Sequence, residues 1–171
     1  MFTLERGLEI LERTPAILRV WLDGLSPAWV EATEGPGTWS PYDVVGHLIH
    51  GERTDWMARV RVIVNGGGTF QKFDRFAQFE ESRGKSLSQL LDEFAEARRD
   101  SLADLRALNL TEADLDRTGT HPAFGAVTLR QLLSTWVAHD LDHLMQISRV
   151  MGKQLARDVG PWVEYLRIAR S

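Results

Sequence analysis

Five histidines stand at positions 47, 50, 121, 139 and 143, and two of them, His139 and His143, lie four residues apart. At 3.6 residues per turn, that spacing on a helix stacks two imidazoles on one face, about one turn apart. Two such rings can bind one metal ion. His47 belongs to a different stretch, and it can supply a third ligand if the two stretches are neighbours. Imidazole is neutral near pH 7 and suits Zn, Ni, Cu or Fe. Three histidines on two helices would cover one side of the ion and leave positions open to water or a substrate atom, which is the mark of a catalytic site. The rival reading is that the pair serves packing or falls four apart by chance, and spacing alone leaves both readings standing.

Other metal motifs fit less well. A di-iron carboxylate bundle needs Glu-x-x-His from two helices, and here the acidic-x-x-His spacing occurs once, from Asp140 to His143. Position 140 is Asp, so there is no His-Glu-x-x-His run. A mononuclear site is preferred. His50, three residues after His47, competes with it as a ligand or sits beside the site. His121 either lines a pocket mouth or is merely exposed. Asp140, Asp142 and Gln146 can each accept the second N–H of a ligating imidazole, or face solvent. Glu52 and Asp55 are candidate general bases, with a solvated helix face as the alternative. Trp39, Trp56, Trp136 and the phenylalanines at 70, 73, 76 and 79 can wall an apolar pocket, though most are expected in the core.

The elements that must carry these residues read as helices. Apolar residues three and four apart predict a first helix over Thr3–Leu25, kinked or split by Pro15. Ser26-Pro27 reads as a turn. Ser40, Pro41 and Asp43 make an N-cap, an N1 proline and a capping-box partner, opening a second helix that runs to Val64 and stops at Asn65-Gly66-Gly67-Gly68. Residues 66–85 read as an irregular, Phe-rich connection. Ser86 with Gln89 opens a third helix with Leu87, Leu90, Leu91, Phe94, Ala97, Leu102, Leu105 and Leu108 on its buried stripe. Residues 109–127 read as a second connection. Thr128 with Gln131 opens a fourth helix to Met151, with Gly152 as its C′ residue. A short last helix begins at Gly160-Pro161. No run of period-two alternation stands out. The pattern predicts an all-α, antiparallel four-helix bundle with a short C-terminal helix, in one domain over 1–171.

Composition narrows the function. A formal charge of −4 offers no basic footprint for nucleic acid. With no cysteine there is no thiolate ligand, disulfide or cysteine nucleophile, so any thiol chemistry must arrive with a substrate. Gly66-Gly67-Gly68 follows a helix rather than a strand and fails the context for a phosphate loop. The N-terminus alternates charged and apolar residues unlike a signal peptide, and no stretch approaches about 18 consecutive apolar residues, so the expected location is the cytoplasm, away from membrane.

SPYDVVGHLIHGE at 40–52, HPAFGAVTLRQLLSTWVAHDLDHLMQI at 121–147 and GPWVEYL at 160–166 resemble the DinB-like (DNA-damage-inducible) superfamily, which includes the YfiT-like metal-dependent hydrolases. The resemblance implies helices in up-down-down-up order, frequently in a homodimer. It also implies a divalent metal site made of one histidine early in the second helix and the pair in the fourth, carried over as His47, His139 and His143. Asp142 stands where many relatives have a further histidine, a change beside the ligands rather than in them. Relatives include transferases and isomerases that use low-molecular-weight thiols.

The resulting expectation is a metal-dependent enzyme with a small-molecule substrate, Zn or Ni first among its ions and Fe, Mn or Cu also accepted. A thiol-dependent S-transferase is preferred on the resemblance, with a metal-dependent hydrolase as alternative. A non-catalytic metal- or ligand-binding stress-response module is a third reading, and a scaffold with packing histidines a fourth.

Overall fold

The computed structural model describes residues 2–169. The first predicted helix is two pieces, α1 (Leu4–Leu11) and α2 (Thr14–Leu22), with Thr3 capping α1 through its side chain and Pro15 in the first turn of α2, where its missing N–H has no helical partner to lose. Pro27 then opens a four-residue helix, α3 (Pro27–Val30), where a turn is expected from sequence. The second bundle helix starts in the predicted capping box of Ser40 and Asp43 but breaks at Asp55 into α4 (Pro41–Thr54) and α5 (Trp56–Val64). The Phe-rich connection is not wholly irregular, since it folds a short helix, α6 (Ala77–Ser82), against α4. Gly46 makes that contact possible: a Cβ there would lie 2.4 Å from Ser82 Oγ and 2.5 Å from Gln78 Oε1.

The third bundle helix is α7 (Leu87–Ala107) and the fourth is α8 (Leu129–Gln154), each opened by its predicted capping box. Gly152 does not end α8. It lies inside the helix, where the absent Cβ makes room for Ile168, whose Cγ1 would be 2.8 Å away. The segment after α8 forms short 3₁₀ turns over Gly160–Tyr165 and Arg167–Ala169. Among the described residues no helix is long and apolar enough to cross a membrane.

The 109–127 connection carries the one departure in class. Strands β1 (Thr118–His121) and β2 (Gly125–Thr128) pair antiparallel as a hairpin. Four residues with little buried side chain are too short to show alternation, which is why the pattern escapes a reading by period. The hairpin is anchored from outside: Phe70 N–H donates to Thr120 O at 2.9 Å and Thr120 N–H to Gly68 O at 2.8 Å. Gly119 lets it sit on Phe70, whose Cε1 would be 2.5 Å from any Cβ there.

Cross-links between helices set their directions. Tyr42 meets the carbonyl of Lys85, Arg53 meets Glu93 and Arg61 meets Asp104, so the second and third bundle helices run parallel. Arg19 pairs with Asp92 and Glu12 with Arg106, so the first and third are antiparallel. His47 faces His139 and Trp136 faces Glu52, which makes the second and fourth antiparallel as well. The order is therefore up-down-down-up. A parallel pair demands a connection that travels back along the bundle, and residues 66–85 provide it.

The apolar interior falls into two clusters. One gathers Leu11, Trp56, Val60, Leu102, Leu105, Leu133 and Trp136. The other gathers Leu18, Leu48, Ile49, Leu90, Phe94 and Ile147. On three of the bundle helices the boundary is a charged residue: Glu52 on α4, Arg98 on α7 and Asp140 on α8, all buried.

Candidate metal centre

Ser40 and Asp43 fix where α4 begins, which places His47 two turns in on its buried face. The 139/143 spacing on α8 presents two rings to the same place. The structure brings these three together. His139 Nε2 is 3.1 Å from His47 Nε2 and 3.0 Å from His143 Nε2, and the three ligand atoms lie within 4.8 Å of one another. Two imidazoles on one ion, with bonds of about 2.0–2.1 Å, hold their nitrogens roughly 3 Å apart.

Proton bookkeeping supports a cation at that point. A ring nitrogen carries either one proton or one lone pair, so His139 Nε2 can make at most one good hydrogen bond to its two Nε2 neighbours. The Nδ1 atoms of His47 and His139 are buried with no partner. An ion accepted by all three Nε2 lone pairs removes the conflict. Burial holds all three rings neutral, His47 down at about 3, His139 down at about 2 and His143 also below its usual value, with neighbouring histidines adding to the effect at His47 and His139. Neutral imidazole is the ligating form. His143 is oriented further: its Nδ1–H donates to Gln146 Oε1 at 2.8 Å, leaving Nε2 bare. The residues present therefore fit a divalent metal.

His50 is not part of the set. Its Nδ1 lies 3.0 Å from both carboxylate oxygens of Glu81. Glu52 is not a base on a solvated face; it is 5% exposed and bonded to Arg98 at 2.8 Å and to Trp136 Nε1–H at 3.0 Å. Burial pushes its carboxyl up, against the pull of Arg98. Asp140 serves no histidine either. It takes two hydrogen bonds from Arg98, at 2.6 and 2.9 Å. Arg98 also donates to Leu11 O at 2.8 Å and lies over the rings of Phe94 and Trp136. Burial opposes its charge, but the two carboxylates more than reverse that and keep it protonated. Asp142 is exposed.

Arg98 escapes a search for chemistry-bearing motifs. The signal is there all the same: Phe94, Arg98 and Leu102 are spaced by four, as are Leu48, Glu52 and Trp56, and Trp136, Asp140 and Leu144. A charge at a stripe position on three helices implies that the charges meet.

The histidines open on a cavity of about 820 Å³. Trp39 stacks on His143, with ring centroids 6.4 Å apart, and Phe73 meets His47 edge-on at 5.5 Å. Trp56 closes the floor, 5.1 Å from His139 and stacked on Trp136. Trp136 and Phe70 are core, whereas Phe76 and Phe79 are exposed. His121 lines the cavity, with its Nδ1 accepting the backbone N–H groups of Ala123 and Phe124 and its ring stacked on Phe124. Asp55 lines it too, paired with Arg59 at 2.6 Å. Burial raises the Asp55 carboxyl to about 6 in spite of that arginine.

The model of the DinB superfamily matches residues 10–147, which include all three converging histidines. The chain belongs to the DinB superfamily. None of the curated proteins matches it. Among solved structures, this DinB-superfamily chain is similar to YfiT from Bacillus subtilis, with a TM-score of 0.74 at 22% identity over 94% of this chain and 91% of that one. YfiT is described as a probable metal-dependent hydrolase with an unusual four-helix bundle topology. At that identity the likeness speaks for the fold.

Proposed function

We propose that this protein is a metal-dependent enzyme that ionises a small nucleophile and directs it at an electrophile held in the same cavity. The observation that carries the reading is the convergence of three neutral imidazole Nε2 atoms on the wall of a cavity lined by aromatic rings. A divalent ion held there lowers the pKa of a water or thiol in its open positions.

The preferred nucleophile is a low-molecular-weight thiol, which makes the protein an S-transferase. The chain has no cysteine of its own, and a cavity of about 820 Å³ has room for a thiol and a second organic molecule together. The thiol loses its proton, its sulfur bonds to a carbon of the second substrate, and the displaced group leaves with the bonding pair. Gln146 keeps His143 in one tautomer, and Asp55 is a carboxylate poised to take up a proton near neutral pH. A second reading, hydrolysis with water as the nucleophile, is favoured by the likeness to YfiT and by the same carboxylate.

The test is reconstitution of metal-free protein with Zn²⁺ or Ni²⁺, followed by two assays: conjugation of small thiols to a chromogenic aryl halide, and hydrolysis of chromogenic esters. Thiol conjugation that His143→Ala abolishes supports the first reading. Ester hydrolysis alone, lost in the same variant, supports the second. Failure to bind metal removes both.

A further inference from the structure

Part of the wall of the cavity is cationic, on a protein whose formal charge is −4. Arg59 from α5 and Lys72 and Arg75 from the connection before α6 all line it. One carboxylate, Asp55, lines it as well, and that group is paired with Arg59 at 2.6 Å. Among the described residues Lys72 and Arg75 have no ion-pair partner, although carboxylates stand near them. Asp74, between them in the chain, accepts the N–H of Phe76 instead. Glu34, which shares a neighbouring pocket with Arg75, is bound by Arg149 and Lys153.

His121 adds a neutral donor. With Nδ1 accepting two backbone N–H groups, its proton sits on Nε2. Exposed Phe124 stacks on that ring and extends the apolar wall outward.

Two unpaired cations on a cavity wall whose one carboxylate is already engaged call for an anion from outside. We propose that the thiol taken by this site carries an anionic group, a carboxylate or a phosphoryl, that Lys72 and Arg75 hold while its sulfur lies at the histidines and its apolar body lies between Trp39 and Phe73. The proposal rests on the metal-dependent reading above and names the ligand class of the same cavity. A guanidinium and an ammonium suit either anion, one as a planar fork and the other as a point charge.

The experiment uses the full-length protein loaded with Co²⁺, whose visible and near-ultraviolet bands report first the ion and then a sulfur at it. Three thiol probes of like length are titrated: 3-mercaptopropionate, its uncharged amide, and 2-mercaptoethylphosphonate. Two partly screened charge contacts predict that the carboxylate, the phosphonate or both bind about tenfold more tightly than the amide at low salt, with the preference shrinking as salt is added. The stronger of the two names the anion. In Lys72→Met/Arg75→Met the preference drops to within about twofold, while Lys72→Arg retains it. Circular dichroism confirms that the variants fold, as expected for exposed positions. No cobalt spectrum at all overturns the metal reading itself. Cobalt bound with equal affinity for all three thiols, or a preference that survives the double substitution, overturns the anion subsite alone.

Discussion

Arg98 grips Asp140 through two hydrogen bonds, and Asp140 is the chain neighbour of the ligand candidate His139. The same guanidinium reaches Glu52 on the opposite helix, five residues beyond His47. The helices that carry the histidines are thus tied to each other through a third helix at the level where the two apolar clusters meet.

Removing one member of that cluster leaves buried charge without a partner. Arg98→Met is expected to lower stability by about 3–5 kcal/mol, because two carboxylates lose their counter-charge in a low-dielectric interior. Replacing the whole set, as in Arg98→Met/Glu52→Leu/Asp140→Leu, is expected to recover much of the loss. Urea denaturation of the metal-free proteins measures both. A single variant as stable as the parent protein would contradict the buried geometry.

Gln146 acts on the metal through His143. Gln146→Leu leaves the fold intact and removes the acceptor that holds Nδ1–H, so metal affinity is expected to fall about 10–100-fold. Competition against a chromophoric chelator reads this directly. Unchanged affinity would mean that the hydrogen bond at 2.8 Å does not orient the ligand.

Gly46 is a packing position rather than a helix fault. Gly46→Ala gains up to about 1 kcal/mol of helix propensity but drives a methyl into Gln78 and Ser82. Gln78 is fully buried and has nowhere to move, so a net loss of about 1–2 kcal/mol is expected, with α6 pushed off α4. Thermal unfolding measures the loss, and faster amide exchange in residues 77–82 locates it. A stabilised variant would sink the prediction.

The buried histidines also set a pH dependence. Their folded values, about 3 for His47 and about 2 for His139, lie below the unfolded value near 6.5. As pH falls below about 6.5 the unfolded chain takes up protons that the folded chain refuses, so stability drops with acid. Asp55 and Glu52 are shifted upward and oppose this. They do so equally in a His47→Gln/His139→Gln variant, which isolates the histidines. Between about pH 7 and 4 the metal-free parent is expected to lose stability faster than that variant in guanidinium melts. Parallel curves would refute the depressed values.

The bundle was largely legible because caps and stripes are local. Ser40 with Asp43, Ser86 with Gln89 and Thr128 with Gln131 announce three helix starts within a few residues, and each forms as read. The errors lie where distant contacts override local signals. Gly152 looks like a helix end and is instead a seat for Ile168. The hairpin at 118–128 pairs locally through strands too short to show alternation, and is held in place by Phe70 and Gly68, some fifty residues away. Glu52 and Asp140 look like site carboxylates until Arg98 is seen between them.

By itself the sequence determined where three bundle helices start, that no thiol is internal, and that two imidazoles share one face of the last bundle helix. Those properties follow from spacing and residue chemistry over a few turns. Only the tertiary structure decided that His47, rather than His50, turns to that face, that the charged stripe residues meet in one knot, and that Lys72 and Arg75 look into the cavity. Each of these depends on how one helix is rotated and placed against another. That placement comes from close approach at Gly46 and Gly119 and from cross-links between residues forty to ninety apart in the chain, which no local pattern records.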